Sequence, residues 1–402
     1  MDGNTDGGIG LAVRRARHAR GLTLQEAADR VGKSKAWLSM IENGKLPLER
    51  RSDIANLAEA LEVSADTLIG QPAPEIQRGA RHWNLVPIRN VLLDSSLDDP
   101  PDIRARSVPE LAALASEMDT ALRKADYDTM LARMPALIGE LQVQAATAAG
   151  SERARALRLM VLAGGSASIM LRHFGTTDLG WIAAEQGRQA ARVLGDPAWE
   201  GAAAYEAAHA RSSSNRPRAL LVTPRLADEL EPQVGDDQFA REVYGMLRLS
   251  AALACAVQGD HAGAAEQGAE AARVAAMTGD ADDAFELFGP ANVGVWRASL
   301  AVEAGNATKA LGHAAGVSPR ALASSNRRAA LRMEKARALA MLGGQENTEA
   351  AVRELRSAER LSPAQVHNTP LVRELVTYLL EEAVRNAGGR DLRGLAWRMG
   401  VI

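Results

Sequence analysis

With a single cysteine, Cys255, the 402-residue chain cannot close an internal disulfide, which fits a protein of the reducing cytoplasm. Aromatic residues make up only 3% of it, and alanine and leucine supply most of the 47% hydrophobic content. Such an interior favours helices over sheets. Lysine is scarce, with 41 of the 47 basic residues being arginine; the bias suggests the codons of a GC-rich genome and is not a functional signal. No HExxH, CxxC, GxxxxGKS/T or GxSxG motif occurs, there is no glycine-rich dinucleotide turn, and the seven histidines are scattered. An enzyme is therefore not expected, and no metal or cofactor is implied. No run is expected to reach membrane-spanning length, and residues 1–8 are glycine-rich and polar, without the apolar core of a signal peptide. These absences leave an all-α, cytoplasmic protein with room for two or three domains.

What is present is concentrated between residues 21 and 56. Residues 22–31 read as a short helix with Thr23 as N-cap and Glu26 three positions on, a capping box. Ala27 and Val31 share one face. Gly32 supplies the left-handed residue that ends the helix, and Ser34 caps the next one, residues 34–43. In that second helix Leu38 and Ile41 form the inner stripe against Ala27 and Val31, and Gly44 ends it. Ala28 is small where the two helices cross. The outer side carries Ser34, Lys35, Ala36, Ser39, Met40 and Asn43. A helical pair of this kind serves to set its second helix in the major groove of DNA.

Charge agrees with this. Residues 14–51 carry ten basic side chains against Glu26, Asp29, Glu42 and Glu49, in a chain whose net charge is −3. Positive potential confined to one region is what phosphate binding requires. Lys35 is placed for a hydrogen bond to guanine and Ala36 and Met40 for a thymine methyl, while Asn43, Lys45, Arg50 and Arg51 are expected on phosphates. Trp37 either reaches a phosphate through its indole N–H or covers the helix interface.

Residues 24–43, with Ala28, Gly32, Leu38 and Ile41 in fixed register and Glu42-Asn43-Gly44-Lys45 following, resemble the phage-repressor (Cro/CI, or XRE) family of DNA-binding domains over about residues 9–70. The resemblance implies a five-helix bundle with residues 34–43 as recognition helix, completed by helices at 51–61 and 64–69. It also implies a structural ion pair between Arg17 and Glu42. Two positions depart from the family pattern. Leu24 stands where a phosphate-touching Gln is usual, leaving Gln25 as the substitute, and Lys33 stands where an apolar residue is common.

Prolines 72, 74, 87, 100 and 101 mark residues 71–107 as a linker. Within it residues 83–93 are too apolar to stay in water and are expected to dock as a short helix, on the second domain in preference to a partner subunit. From 108 to 402 the pattern is helical throughout, with helices near 109–123, 127–148, 152–173, 177–194, 197–212, 217–231, 237–257, 261–277, 281–304, 307–315, 320–342, 346–361 and 370–387. Turns at Gly259-Asp260, Gly305-Asn306 and Gly343-Gly344 are followed by Ala264, Ala310 and Ala350, small where a paired helix must nest. With Leu361-Ser362-Pro363 closing one unit, this part resembles the tetratricopeptide superfamily in a degenerate form.

The whole layout resembles a set of actinobacterial regulators, to which the phrases Phe174-Gly175-Thr176-Thr177-Asp178-Leu179-Gly180-Trp181 and Phe288-Gly289-Pro290-Ala291-Asn292-Val293 are similar, and more distantly the peptide-pheromone-sensing regulators. The resemblance implies a homodimer on double-stranded DNA, at a pseudo-palindromic operator, with a peptide or small-molecule effector in the superhelical groove. Polar residues on apolar inner helices mark the candidate effector site: Phe288, Asn292, Trp296 and Arg297, with Gly289-Pro290 kinking their helix, then Arg248 and Asn215, with Arg172, His173 and Arg211 behind them. Core packing around the proline is the other account of the first group. The competing function is an interaction adaptor whose helix-turn-helix head serves mainly for docking.

Overall fold

A computed structural model describes residues 9–69, 83–211, 220–385 and 389–402, and among them the fold is all-α, without a strand. The first five helices are α1 (Ile9–Ala19), α2 (Leu24–Val31), α3 (Lys35–Glu42), α4 (Arg51–Ala60) and α5 (Ala65–Ile69). Local chemistry sets their ends. The Thr23 hydroxyl accepts from the Glu26 amide at 3.2 Å while the Glu26 carboxylate accepts from the Thr23 amide at 2.7 Å, closing the capping box. Gly32 takes φ +68°, and the Ser34 hydroxyl accepts from the Trp37 amide at 3.1 Å. Leu38, Ile41, Ala27, Ala28, Ile54, Leu57 and Leu61 fill the core of this head, with Val31 packed at its edge.

The helix α6 (Val86–Asp94) carries the apolar part of the linker. It docks in cis: Ile88 and Leu92 are buried in the core of the larger domain, and the Gln186 amide donates to the Leu92 and Ser95 carbonyls at 3.0 and 3.1 Å. Helices then follow in antiparallel neighbours: α7 (Val108–Lys124), α8 (Tyr127–Thr147), α9 (Gly150–His173), α10 (Thr177–Leu194), α11 (Pro197–Ala210), α12 (Thr223–Leu230), α13 (Gln238–Val257), α14 (His261–Thr278), α15 (Pro290–Glu303), α16 (Ala307–Ala315), α17 (Ser325–Leu342), α18 (Gln345–Leu361), α19 (Pro363–Asn368), α20 (Pro370–Arg385) and α21 (Arg390–Arg398). This is a helical-repeat domain. Ala264 and Ala310 are buried as nesting requires, whereas in the third unit the fully buried alanine is Ala351, one residue beyond the Ala350 expected.

The array closes on itself. The Asn326 amide on α17 donates to the Leu122 carbonyl at 2.8 Å and its oxygen accepts from the Tyr127 hydroxyl at 3.0 Å. The Asn368 amide donates to the His173 carbonyl at 2.9 Å. The late helices α17 and α19 are thereby held against the early helices α7 to α9, and an internal cleft remains between the rows.

Three expectations need amending. Residues 281–304 do not form one kinked helix: Glu286 and Leu287 take positive φ (49° and 56°), and α15 begins only at Pro290. A proline disfavours helix in the residue before it but suits the first helical turn, and the Asp280 carboxylate accepts from the Ala291 amide at 2.9 Å. Two helices, α19 and α21, lie where none was expected; α21 is fixed by Leu392, Leu395 and Ala396, all buried. Finally, α9, 24 residues long, is long and apolar enough to cross a membrane by length and composition; here 67% of its apolar 18-residue stretch is buried inside the fold.

Candidate nucleic-acid interface and internal cleft

The head is held rigid behind α3. The Arg17 guanidinium donates to both Glu42 oxygens, at 2.6 and 2.7 Å, and to the Leu22 carbonyl at 2.8 Å, all behind the helix. Both side chains are buried, and the Glu42 carboxylate raises the Arg17 pKa. Lys33, unusual at its position, sits with its ammonium 3.0 Å from Asp53 and 5.1 Å from the centroid of Trp37, so the charge is paired and the stem covers the ring. Trp37 is half-buried against the head core, and Leu24 packs there as well.

The opposite face of α3 is open. Ser34, Lys35, Ala36 and Met40 are exposed, Ser39 is half-exposed, and Asn43 and Lys45 continue the same surface. The Asn43 amide donates to the Ser39 carbonyl at 2.7 Å, and the Gln25 amide to Asp29 at 2.8 Å. Lys35 and Lys45 carry no ion pair among the described residues and project into solvent, as do Arg14 and Arg15 on α1. The outer face that the sequence assigned to base edges is therefore a continuous accessible surface.

Arg50 and Arg51 are placed otherwise. Both turn away from that face into the helical-repeat domain, where Arg50 Nε donates to the Glu303 carbonyl at 2.7 Å. The Arg51 amide and its Nη1 donate to the two Glu303 carboxylate oxygens, each at 2.6 Å. Glu303 is wholly buried and also accepts from Arg337 Nη2 at 3.0 Å. Burial opposes its charge, but Arg51 and Arg337 together hold its carboxyl below the usual range. Arg337, 2% exposed, bonds Glu334 at 2.6 Å as well and donates to the Glu49 carbonyl. Neither Arg50 nor Arg51 reaches outward in this state, contrary to the expectation of two free phosphate contacts.

Further contacts complete the docking. The Ile9 amide donates to Glu374 at 3.0 Å, and Leu371 of α20 enters the head core. Gly44 meets Glu381, whose Oε2 would lie 2.2 Å from a Cβ at that position; with φ +65° as well, only glycine suits it. Glu49 is buried in the seam with neither carboxylate oxygen hydrogen-bonded, and burial pushes its carboxyl up to about 8 against the pull of Arg337.

Of the candidate effector residues, the structure sets Trp296, Arg172 and His173 on one cavity. Phe288 is fully buried against Gly245, and Asn292, 1% exposed, donates to the Glu286 carbonyl at 2.8 Å. Because residues 285–288 precede α15, they share no helical face with Asn292 and Trp296. Arg297 is exposed; Arg248 pairs with Asp228 at 2.7 Å and lies over the Tyr244 ring; Asn215 falls outside the described residues. Trp296 lines a cleft of about 380 Å³ bounded by α9, α11, α15, α17 and α20, together with Arg51 and Ile69 of the head. Arg172 and His173, at the end of α9, also line it. Sequence reasoning missed Tyr205, His209, Glu286 and Arg327 on its wall, and Glu303 and Arg337 beneath the head; the partners that give Arg327 and Glu303 their roles, Glu286 and Arg51, lie 41 and 252 residues away.

No curated protein sequence matches the chain. A crystal structure described as ComR from S. thermophilus in complex with DNA and its signalling peptide ComS aligns with 94% of this chain and all of that one, at 12% identity and a TM-score of 0.25, too low to establish a common fold. The profile of the helix-turn-helix domain family matches residues 9–68. The chain therefore carries an N-terminal helix-turn-helix domain, joined to an all-helical repeat domain.

Proposed function

We propose that the protein is a cytoplasmic, sequence-specific DNA-binding transcription regulator, acting as a homodimer whose helical-repeat domain senses an effector. The observation that supports it best is the open face of α3, where Lys35, Ala36, Ser39, Met40, Asn43 and Lys45 stand together on a rigid helix-turn-helix. Lys35 reads guanine, Ala36 and Met40 meet thymine methyls, and Ser34, Gln25, Asn43 and Lys45 fix the helix on the backbone. Two heads across a dyad read half-sites one turn apart, about 34 Å.

Arg50 and Arg51 join the phosphate contacts only once Glu303 releases them. Docking of the head and full engagement of DNA thus compete for the same two guanidiniums, and an effector controls the output by favouring one state. Selection of bound duplexes from a random pool, at stated salt, tests the proposal. A palindromic consensus that Lys35→Ala weakens supports it; no enrichment even at low ionic strength, or an unchanged cellular role in Lys35→Ala, favours an adaptor instead.

A further inference from the structure

The cleft contains an electrostatic mismatch. Arg327 Nη2 is paired with Glu286 at 2.8 Å. Arg172, the penultimate residue of α9, has a single hydrogen bond among the described residues, from Nη1 to the His209 carbonyl at 3.1 Å; no carboxylate among them lies within 4 Å, and its buried Nε has no partner there. Burial and the Glu286 carboxylate push the pKa of the nearby Glu206 carboxyl well above the usual range, which favours its neutral form. His173 is pushed down to about 3 by burial and by Arg172 and Arg327. Arg172 is thus left without a carboxylate partner among the described residues, whereas Arg327 has Glu286.

A second donor lies close by. The Trp296 indole N–H is buried without a partner, and its ring meets the His209 ring edge-on at 5.7 Å, so Arg172 and Trp296 flank the same histidine. The lining also includes the apolar side chains of Leu253, Val295 and Met333. Buried donors without acceptors are costly unless something accepts from them, and at about 380 Å³ the space falls at the lower end of small-molecule sites.

We propose that this cleft is the binding site for a small organic monoanion, a carboxylate on an apolar body. Its charged end bonds to Arg172 and the Trp296 indole, and its apolar end lies along Leu253, Val295 and Met333. This deepens the effector-sensing part of the proposed function and excludes a long peptide as occupant.

The test uses the full chain without DNA. Phenylacetate, 4-phenylbutyrate and indole-3-acetate are compared with their primary amides by ligand-observed NMR and calorimetry. The expected result is that at least one carboxylate binds with one site per chain, about tenfold or more tighter than its amide. Arg172→Gln removes that preference, Arg172→Lys keeps most of it, and Trp296→Phe weakens binding several-fold. The proposal is overturned if no carboxylate binds, if the amides bind equally well, or if Arg172→Gln binds like the wild type. Should Arg172→Gln not fold, the amide comparison and Trp296→Phe decide alone. Duplex binding of the Arg172 variants in the absence of any probe should match the wild type, so loss of the site and failure of the DNA-binding reading give different results.

Discussion

Glu303→Gln should loosen the head while leaving both domains folded. Glu303 lies wholly inside the seam and its carboxylate accepts three hydrogen bonds, from the Arg51 amide, Arg51 Nη1 and Arg337 Nη2. Removing one partner of a buried ion pair costs about 3–5 kcal/mol, because the other charge remains desolvated. Glutamine keeps the volume and one acceptor oxygen, and Arg337 keeps Glu334, so about 2–3 kcal/mol is the expected loss. That reduces the ratio of docked to undocked heads by roughly 30- to 150-fold. Hydrogen exchange over residues 46–55 should report it directly, since the Arg51 amide is one of the donors. Protection there should fall by a similar factor while α9 and α13 keep theirs. Duplex affinity should rise, as Arg50 and Arg51 become available to phosphates. Unchanged exchange in Glu303→Gln at 46–55 would refute the assignment of the network as the latch, and faster exchange throughout the chain would show that Glu303 supports the repeat domain instead.

Three other outcomes are expected. Arg17→Ala strands the buried Glu42 carboxylate and should cost the head about 3–5 kcal/mol, seen as loss of its melting transition. Lys35→Ala should reduce specific duplex affinity by about 1–3 kcal/mol and blur the consensus at one position, while Lys45→Ala should weaken all duplexes alike and lower the salt slope by about one. Docking should depend on pH through Glu49, whose carboxyl faces Arg337, Glu334 and Glu303 and lies at about 8 when buried, against 4.5 when free. The docked state holds the extra proton, so its full stability is present below about pH 4.5 and is lost as pH rises towards 8. Exchange at residues 46–55, corrected for its intrinsic rate, should therefore quicken from pH 5.5 to pH 8 in the wild type and stay level in Glu49→Gln, in steps of about 1.4 kcal/mol per unit at most.

The head was legible from its sequence because its signals are local. A capping box spans four residues, Gly32 needs only its own φ, and Leu38 and Ile41 declare a face within one helix turn. The helices of the repeat domain were legible for the same reason, from periodicity and turns. The failures have two causes, local competition at a helix start and distance along the chain. Residues 281–289 carry enough apolar character for a helix, but Asp280 and Pro290 together start α15 late. Arg51 meets a carboxylate 252 residues away, and Asn326 closes on a carbonyl 204 residues away. No period or motif encodes such meetings; only the closure of the array brings them about. Arg51 in particular looks in sequence like any arginine at a helix start, and its use here depends on what α15 places opposite.

The head offers two faces at once, and this constrains how any signal could act. The outer face of α3 remains accessible while the head is docked, so docking withholds the guanidiniums of Arg50 and Arg51 without covering Lys35. On the reading proposed above, the graded loss of two phosphate contacts should lower affinity for every duplex about equally, whereas discrimination among duplexes should stay with α3. On the proposed function, an occupant of the cleft would touch Ile69 and Arg51 on one side and Trp296 and Arg172 on the other. It can shift docking only by the difference between its affinities for the two states, and the head residues are the part of its surroundings that undocking removes. An occupant that uses them must hold the head closed, and one confined to Arg172 and Trp296 must leave the equilibrium unchanged however tightly it binds. Measuring duplex affinity at rising phenylacetate, 4-phenylbutyrate or indole-3-acetate therefore separates the two cases: a parallel fall for specific and nonspecific duplexes identifies contact with the head, and a fall for specific duplexes alone contradicts a mechanism that works through Arg50 and Arg51.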